Sequence, residues 1–287
     1  MKASNTKKII FFLALLIIIF YLAKIYQKEV NSSELLVSFI DSGQADAILV
    51  KTPYKQNILI DFGSNKGLKD LNKRIPWWNK NINLMIITHP HDDHILGMIS
   101  VLKKYKVDQI MYTGILHSSP VYSELLELIQ SKNIPLIIPR ENQVINFGEN
   151  CFIKVIFPWE SLQGREIENI NNSSIVSQLD CLNYKFLFTG DAEIEVENEI
   201  SEKNINIKSD VLKIGHHGSI TSSQEEFLEK VSPQIAVIMV GEDNKFNHPN
   251  LRTIKKLERL NIKSFRTDLD GTIDITSNGE DLYIQKN

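Results

Sequence analysis

Cysteine is almost missing from this 287-residue chain, with two residues, Cys151 and Cys181. Two cysteines in a chain of this length exclude a disulfide-built mini-protein. Glycine (13) and proline (9) are sparse and follow no period, which excludes collagen-like and low-complexity sequence. Long apolar runs are lacking beyond a single one near the start, so a multi-span transporter is excluded. With 43% apolar and 23% charged residues, a packed core is expected rather than disorder. A surplus of positive charge is absent as well. The formal net charge is −3, and beyond residue 30 there are 27 Lys and Arg against 34 Asp and Glu. Such an acidic body exerts no bulk attraction on nucleic acid, so any nucleic-acid chemistry must come from a local site.

The one long apolar run extends from Ile9 to Ala23, preceded by Lys2, Lys7 and Lys8 and ended by Lys24. As a helix it reaches about 22 Å, short of a ~30 Å hydrocarbon core. Snorkelling by Lys8 and Lys24, with Ile25 and Tyr26 beyond, extends the membrane contact over residues 9–26. Tyr21-Leu22-Ala23 is too bulky for a cleavage site. Residues 1–30 therefore read as an uncleaved signal-anchor, single-pass in a bacterial membrane, with the basic start inside and the following domain outside. If the segment is cleaved, the domain is secreted; the other reading is a buried N-terminal helix.

Asn31-Ser32-Ser33 forms a polar link, and residues 31–287 read as one α/β layered domain. Apolar runs predict strands at Leu35–Ile40, Ala47–Val50, Ile58–Ile60, Leu84–Thr88, Leu136–Ile138, Phe152–Phe157, Ser174–Leu179, Phe186–Thr189, Val211–Ile214, Ile235–Val240 and Gly271–Thr276. Helical spacing follows His94 and recurs at Val121–Ser131, Gln224–Lys230 and Asn250–Leu260.

Six of the seven histidines fall in three clusters, each next to the end of a predicted strand or the start of a predicted helix. His89-Pro90-His91-Asp92-Asp93-His94 is the densest. Imidazole and carboxylate are ligands for Zn²⁺ and harder divalent ions, and a strand-to-helix loop aims several of them into one space. Thr189-Gly190-Asp191 offers a carboxylate able to bridge two metals. In Gly215-His216-His217-Gly218-Ser219 the adjacent imidazoles diverge, so one of them is a candidate ligand and the other faces substrate or supports the ligands. His248-Pro249 precedes a helix.

Together these stretches resemble the metallo-β-lactamase fold, whose His-x-His-x-Asp-His signature is carried by His89, His91, Asp93 and His94. Asp41-Ser42-Gly43-Gln44-Ala45-Asp46, Ile60-Asp61-Phe62-Gly63, Asn171-Asn172-Ser173-Ser174, His216-His217-Gly218-Ser219 and Asp270-Gly271-Thr272 make the chain similar, over about residues 35–285, to the metallo-hydrolase module of ComEC-type competence proteins. That resemblance implies a four-layer αββα sandwich with one or two divalent ions, Zn²⁺ or Mn²⁺, at one edge. By position, His89 and His91 would hold one ion, Asp93, His94 and His216 the other, and Asp191 would bridge. Water activated by the ions would attack a phosphodiester of DNA or a nucleotide, with Asp93 orienting it. Asp41 and Asp61 would buttress the His loop. His217, Ser219 and His248 would face substrate, His248 as proton donor. Many members place a further His where Asn171-Asn172 stands here; an amide oxygen is a harder ligand than imidazole and suits Mn²⁺ better than Zn²⁺. The channel parts of ComEC are absent, so a role in DNA uptake does not carry over.

The helix after His248 places Arg252, Lys255, Lys256 and Arg259 on one face, a stripe for a phosphate backbone or a solvated outer face. Two other functions compete: hydrolysis of a thioester, lactone or β-lactam, and a non-catalytic, metal-stabilised DNA-binding module. Cys151 and Cys181 either pair or remain buried thiols.

Overall fold

A computed structural model of the chain describes residues 8–21, 34–203 and 205–287. It divides into two compact units, residues 1–34 and 35–287. In the first, residues 8–21 form a helix, α1, exposed along its whole length. Fourteen helical residues rise about 21 Å. Among the described residues no helix is long and apolar enough to cross a membrane. The part of the expected span at residues 22–26 lies outside the described residues.

The second unit contains strands β1 (Leu35–Phe39), β2 (Ala47–Lys51), β3 (Asn57–Phe62), β4 (Asn81–Ile82), β5 (Leu84–Ile87), β6 (Lys106–Val107), β7 (Ile110–Tyr112) and β8 (Leu136–Ile137). The later strands are β9 (Val144–Asn146), β10 (Cys151–Phe157), β11 (Val176–Cys181), β12 (Tyr184–Phe188), β13 (Val211–Lys213), β14 (Ile235–Ile238), β15 (Lys263–Arg266), β16 (Ile273–Ser277) and β17 (Leu282–Lys286). Its helices are α2 (Leu68–Arg74), α3 (Asp92–Lys104), α4 (Pro120–Ser131), α5 (Ile194–Glu202), α6 (Glu225–Val231), α7 (Leu251–Arg259) and the single turn α8 (Thr267–Asp270).

One sheet runs β17-β16-β1-β2-β3-β5-β7-β8 and the other β15-β14-β13-β12-β11-β10-β9; β4 and β6 form a small separate pair. Strand alternation explains how they stack. Ile48 and Val50 of β2 and Ile58 and Ile60 of β3 enter the core between the sheets with Val155, Leu179, Phe186, Phe188 and Val237. Leu49 and Leu59, one residue out of phase, pack outward against Ile95, Met98 and Leu102 of α3 and Leu125 of α4. Leu187, Leu212 and Ala236 likewise meet Val196, Ile200, Phe227, Leu228 and Leu257 of α5, α6 and α7. The result is helix, sheet, sheet, helix: four layers around three apolar cores.

Cys151 and Cys181 oppose each other in the β10–β11 register and are joined as a disulfide. The strand directions set the position of the chemistry. β3 and β5 run parallel, as do β12, β13 and β14. Their carboxyl ends deliver Asp61, the His89 loop, Asp191 and the His217 turn to one edge. The start of β1, the end of β2 and the starts of β3 and β5 lie at the opposite edge.

Candidate metal centre

The His89–His94 loop is built by one carboxylate and one missing side chain. Asp61, at the end of β3 with φ 52°, accepts the Thr88 backbone N–H (2.8 Å) and the Thr88 hydroxyl (2.6 Å), and lies 2.7 Å from His94 Nδ1. These contacts fix the loop's entry and orient the His94 ring. Two residues on, a Cβ on Gly63 would sit 1.6 Å from the Asp93 carbonyl oxygen, so only glycine lets β3 pass the first turn of α3. His89 Nδ1 lies 3.1 Å from Thr88 Oγ1 and 3.3 Å from Ser174 Oγ, and the same Ser174 hydroxyl accepts the Asp191 N–H at 3.0 Å. Both sheets thereby hold one His–Asp pair.

Asp191 follows β12, with Gly190 at φ 53° letting the chain turn against Thr88. Its Oδ2 is 3.3 Å from His94 Nε2 and 3.5 Å from His217 Nε2, and its Oδ1 is 3.2 Å from Lys213 Nζ. Lys213 is fully buried, with Nζ also 2.5 Å from Asp46 Oδ2 and donating to the Gly190 carbonyl at 2.6 Å. The next turn, Gly215–Gly218, has His216 and His217 both left-handed, at φ 45° and 52°. This paired strain sends the two rings apart. His217 is buried, Nδ1 2.8 Å from the Met239 carbonyl and Nε2 3.3 Å from Asp93 Oδ2. His216 turns to the rim, Nδ1 2.8 Å from Glu193 Oε1 and 3.4 Å from Asn171 Nδ2.

Two sets of side chains meet the distance requirement for one ion across the two sheets: His89, His94 and Asp191, and Asp93, His94 and His217. Asp46, Asp61 and His94 form a third set deeper in. The charges fit a cation. Among the described residues, Asp46 and Asp191 pair with one permanent positive charge, Lys213, while Asp61 and Asp93 face imidazoles. His94 answers this deficit: against burial, which would lower it, Asp191 and Asp61 hold its pKa well above the usual imidazole value. His217 is raised in the same way, against burial, by Asp191 and Asp93. Burial, then the neighbouring His94, keeps His89 well below, a neutral ligand-like ring. Asp93 is half-buried and Asp191 buried, yet hydrogen bonding to His217 in the first and the charges of His217 and His94 in the second hold both below the usual carboxylate range. His94 Nε2, Asp46 Oδ1 and Asn171 Oδ1 are buried without a hydrogen-bond partner. Mixed imidazole and carboxylate donors, surplus negative charge and partnerless donor atoms together fit one or two divalent ions.

Several sequence expectations change. His217, not His216, joins Asp93, His94 and Asp191, because the left-handed pair turns His216 onto Glu193. His91 lies one step outside these sets, its Nδ1 3.1 Å from His89 Nε2. Asp41 does not support the His loop; it pairs with Lys66 at 2.9 Å and caps Gly43, while Asp46 takes the inner position. Ser219 is buried within its own turn, accepting from Thr221 N at 3.2 Å, and does not face a substrate. Asn172 accepts the Glu193 N–H and donates to Glu195, framing α5 rather than the ligands. Lys256 is tied to the Ser223 carbonyl at 2.5 Å, which removes it from the basic stripe, whereas Arg252 and Lys255 are exposed. His248 stands at the rim, 5.5 Å ring to ring from His216. Burial, then His216 and His217, push it down to about 4, so near neutrality it is an uncharged ring without an acid proton to give. Asp46 and Ser174 stand in motifs quoted from the sequence without a role; Glu193 carries no local signature of one, and Lys213 only its place in the strand alternation.

The metallo-beta-lactamase superfamily model matches residues 40–242. The chain belongs to the metallo-beta-lactamase superfamily. As a member, it is 31% identical over 260 residues to ComE operon protein 3 of Bacillus subtilis, covering 84% of this chain and 33% of that protein. It is 27% identical to Recombination protein 2 of Haemophilus influenzae, covering 90% and 31% of the two chains. The superfamily domain here therefore spans about a third of the length of these curated relatives. Among solved structures, the metallo hydrolase Igni18 of Ignicoccus hospitalis superposes with TM-score 0.54 at 16% identity, over 83% of this chain and 98% of that one. The diiron β-hydroxylase CmlA of Streptomyces venezuelae does so with TM-score 0.54 at 12% identity, over 85% and 54%. These two likenesses carry the fold alone.

Proposed function

We propose that this metal-dependent hydrolase is a phosphodiesterase or nuclease acting on DNA or nucleotides at the outer face of a bacterial membrane, anchored through residues 9–26. The observation that carries the reading is the meeting of buried His89, His94, Asp191 and His217 with half-buried Asp93 between the carboxyl ends of both sheets. Relatives named for competence and recombination support DNA as the substrate class. The Cys151–Cys181 disulfide supports an oxidising compartment, since cytosolic thiols are kept reduced.

His89, His94 and Asp191 would hold one ion, and Asp93, His94 and His217 form the other set that could hold one; Zn²⁺ and Mn²⁺ both suit these donors. Such ions supply Lewis acidity toward a phosphoryl oxygen and toward the attacking water. The chain's own groups do the positioning. Asp61 holds the His94 ring through Nδ1, and the Met239 carbonyl holds His217, leaving the Nε2 atom of each facing Asp191. Lys213 fixes the far oxygen of Asp191 and so sets the direction of the near one. Asp93, partly open to solvent, is the carboxylate placed to orient water. Glu193 and Asn171 hold His216 at the rim for contact with substrate.

The test is to strip the full chain of metal, restore Zn²⁺ or Mn²⁺, and assay single-stranded DNA and bis(p-nitrophenyl) phosphate with Asp191→Ala as control. Metal-dependent cleavage lost in the variant supports the reading. Turnover confined to a thioester, lactone or β-lactam would overturn it, and retained DNA affinity without any turnover would leave a binding module.

A further inference from the structure

A line of aromatic rings leads from the buried cluster to the surface. His217 and His216 lie 6.2 Å apart, His216 and His248 5.5 Å, and His248 and Phe246 5.7 Å. The last pair is stacked and nearly parallel, at 18°, and Phe246 is 64% exposed. An exposed phenylalanine forfeits the burial that normally keeps it inside. This one is also held in place. Asn244 accepts the His248 N–H at 2.8 Å and donates to the His248 carbonyl at 2.7 Å and to the Gly241 carbonyl at 2.9 Å. The loop is thus clipped at both ends, and Phe246 is presented with its inner face backed by the imidazole. Lys245, Arg252 and Lys255 are exposed nearby in the chain, and Glu242 and Asp243 are the exposed acids of the same loop.

We propose that Phe246, stacked on His248, is a platform for a nucleobase of a single strand whose scissile phosphate lies at the metal centre, with Arg252 and Lys255 against its phosphates. The proposal deepens the phosphodiesterase reading and rests on it. Stacking on a flat ring binds single strands without sequence preference, because every base offers a π-face, and exposed basic side chains add contacts to the phosphates. It also answers the acidic composition: the strand is gripped locally by stacking rather than by bulk charge. An extended single strand can lay a base on the ring, whereas a duplex keeps its bases stacked inside.

Binding and turnover are measured separately on the full chain. Anisotropy of a fluorescein-labelled oligodeoxythymidylate, and of an abasic strand of equal length, is read with Asp191→Asn and with Asp191→Asn/Phe246→Ala. Loss of stacking is expected to weaken thymidylate binding roughly 5- to 150-fold. The abasic strand should bind both proteins equally weakly, and Phe246→Trp should restore thymidylate affinity. Equal affinity of the Asp191→Asn protein for the two strands, or an equal loss on both in Phe246→Ala, would overturn the platform. An oligouridylate tells DNA from RNA, since tighter binding of either strand than of its abasic counterpart supports stacking and names the sugar. Hydrolysis of bis(p-nitrophenyl) phosphate by the wild type is assayed in parallel. Its absence in the wild type would sink the phosphodiesterase reading, while the binding contrast still decides the platform.

Discussion

Lys213→Met tests the charge logic of the site most directly. The ammonium is fully buried between Asp46 Oδ2 (2.5 Å) and Asp191 Oδ1 (3.2 Å) and donates to the Gly190 carbonyl. Methionine keeps the volume and removes the charge, leaving two buried carboxylates without their cation. Removing one partner of a buried ion pair costs about 3–5 kcal/mol. For a domain of this size that lowers the melting temperature by roughly 6–20 °C. The variant still folds, because domains hold about 5–15 kcal/mol. A bound divalent ion gives Asp191 a new positive partner, so the deficit in chelator should shrink when Zn²⁺ or Mn²⁺ is added. The pH dependence has a definite sign. In the wild type the charges of His217, His94 and Lys213 hold Asp191 well below its unfolded value of about 3.9 against burial; without Lys213 it is held down less, so the penalty is fully present at neutral pH and fades as pH falls below that value. Urea unfolding of both proteins in chelator, in metal, and at two pH values measures all of this. A deficit below about 1 kcal/mol in chelator, or one that metal leaves untouched, refutes the argument that Lys213 is a stand-in charge for this cluster.

The two adjacent histidines should separate cleanly: His217→Ala is expected to lower metal affinity about 10- to 100-fold, whereas His216→Ala keeps the metal content and changes substrate turnover instead, both read by titration calorimetry and elemental analysis. Glu197 of α5 is buried against the start of α6, where it accepts the N–H groups of Ser223 (2.6 Å) and Gln224 (2.8 Å), and burial raises its pKa to about 7. Its folded pKa lies above the unfolded value, so its contribution is present below about pH 4.5 and is lost as pH rises through 7. Between pH 5 and 8 the wild type should therefore lose up to about 3 kcal/mol relative to Glu197→Gln, and parallel stability curves would contradict this.

Much of the fold was legible because its signals are local. Strand alternation separates Leu49 from Val50 and Leu59 from Ile60, and the clustered His and Asp residues mark where strands end. The errors come from contacts that no local pattern encodes. Asp41 and Asp46 share one motif, but only the second reaches the site, because its backbone is bonded to the Asp93 carbonyl and to Gly63, far away in sequence. The choice between His216 and His217 depends on two left-handed residues that spacing alone does not reveal. Lys213 carried a signal that went unread. Val211 faces the inter-sheet core, and alternation places Lys213 on the same face, where a lysine demands carboxylate partners. The basic stripe on α7 was overcounted, since Lys256 and Arg259 serve Ser223 and Glu225.

The opposite placement of chain entry and chemistry gives the domain a mechanical polarity. Leu35 enters at the edge where β3 and β5 begin, and the candidate centre lies where those strands end. A strand of this length spans about 20 Å. A load applied through the first strand therefore passes along the length of the sheet before it reaches His94 or Asp191. Pulling from that side shears β1 against its antiparallel neighbours β2 and β16, a geometry in which many hydrogen bonds share the force. The centre can keep its shape while the chain behind it is under tension.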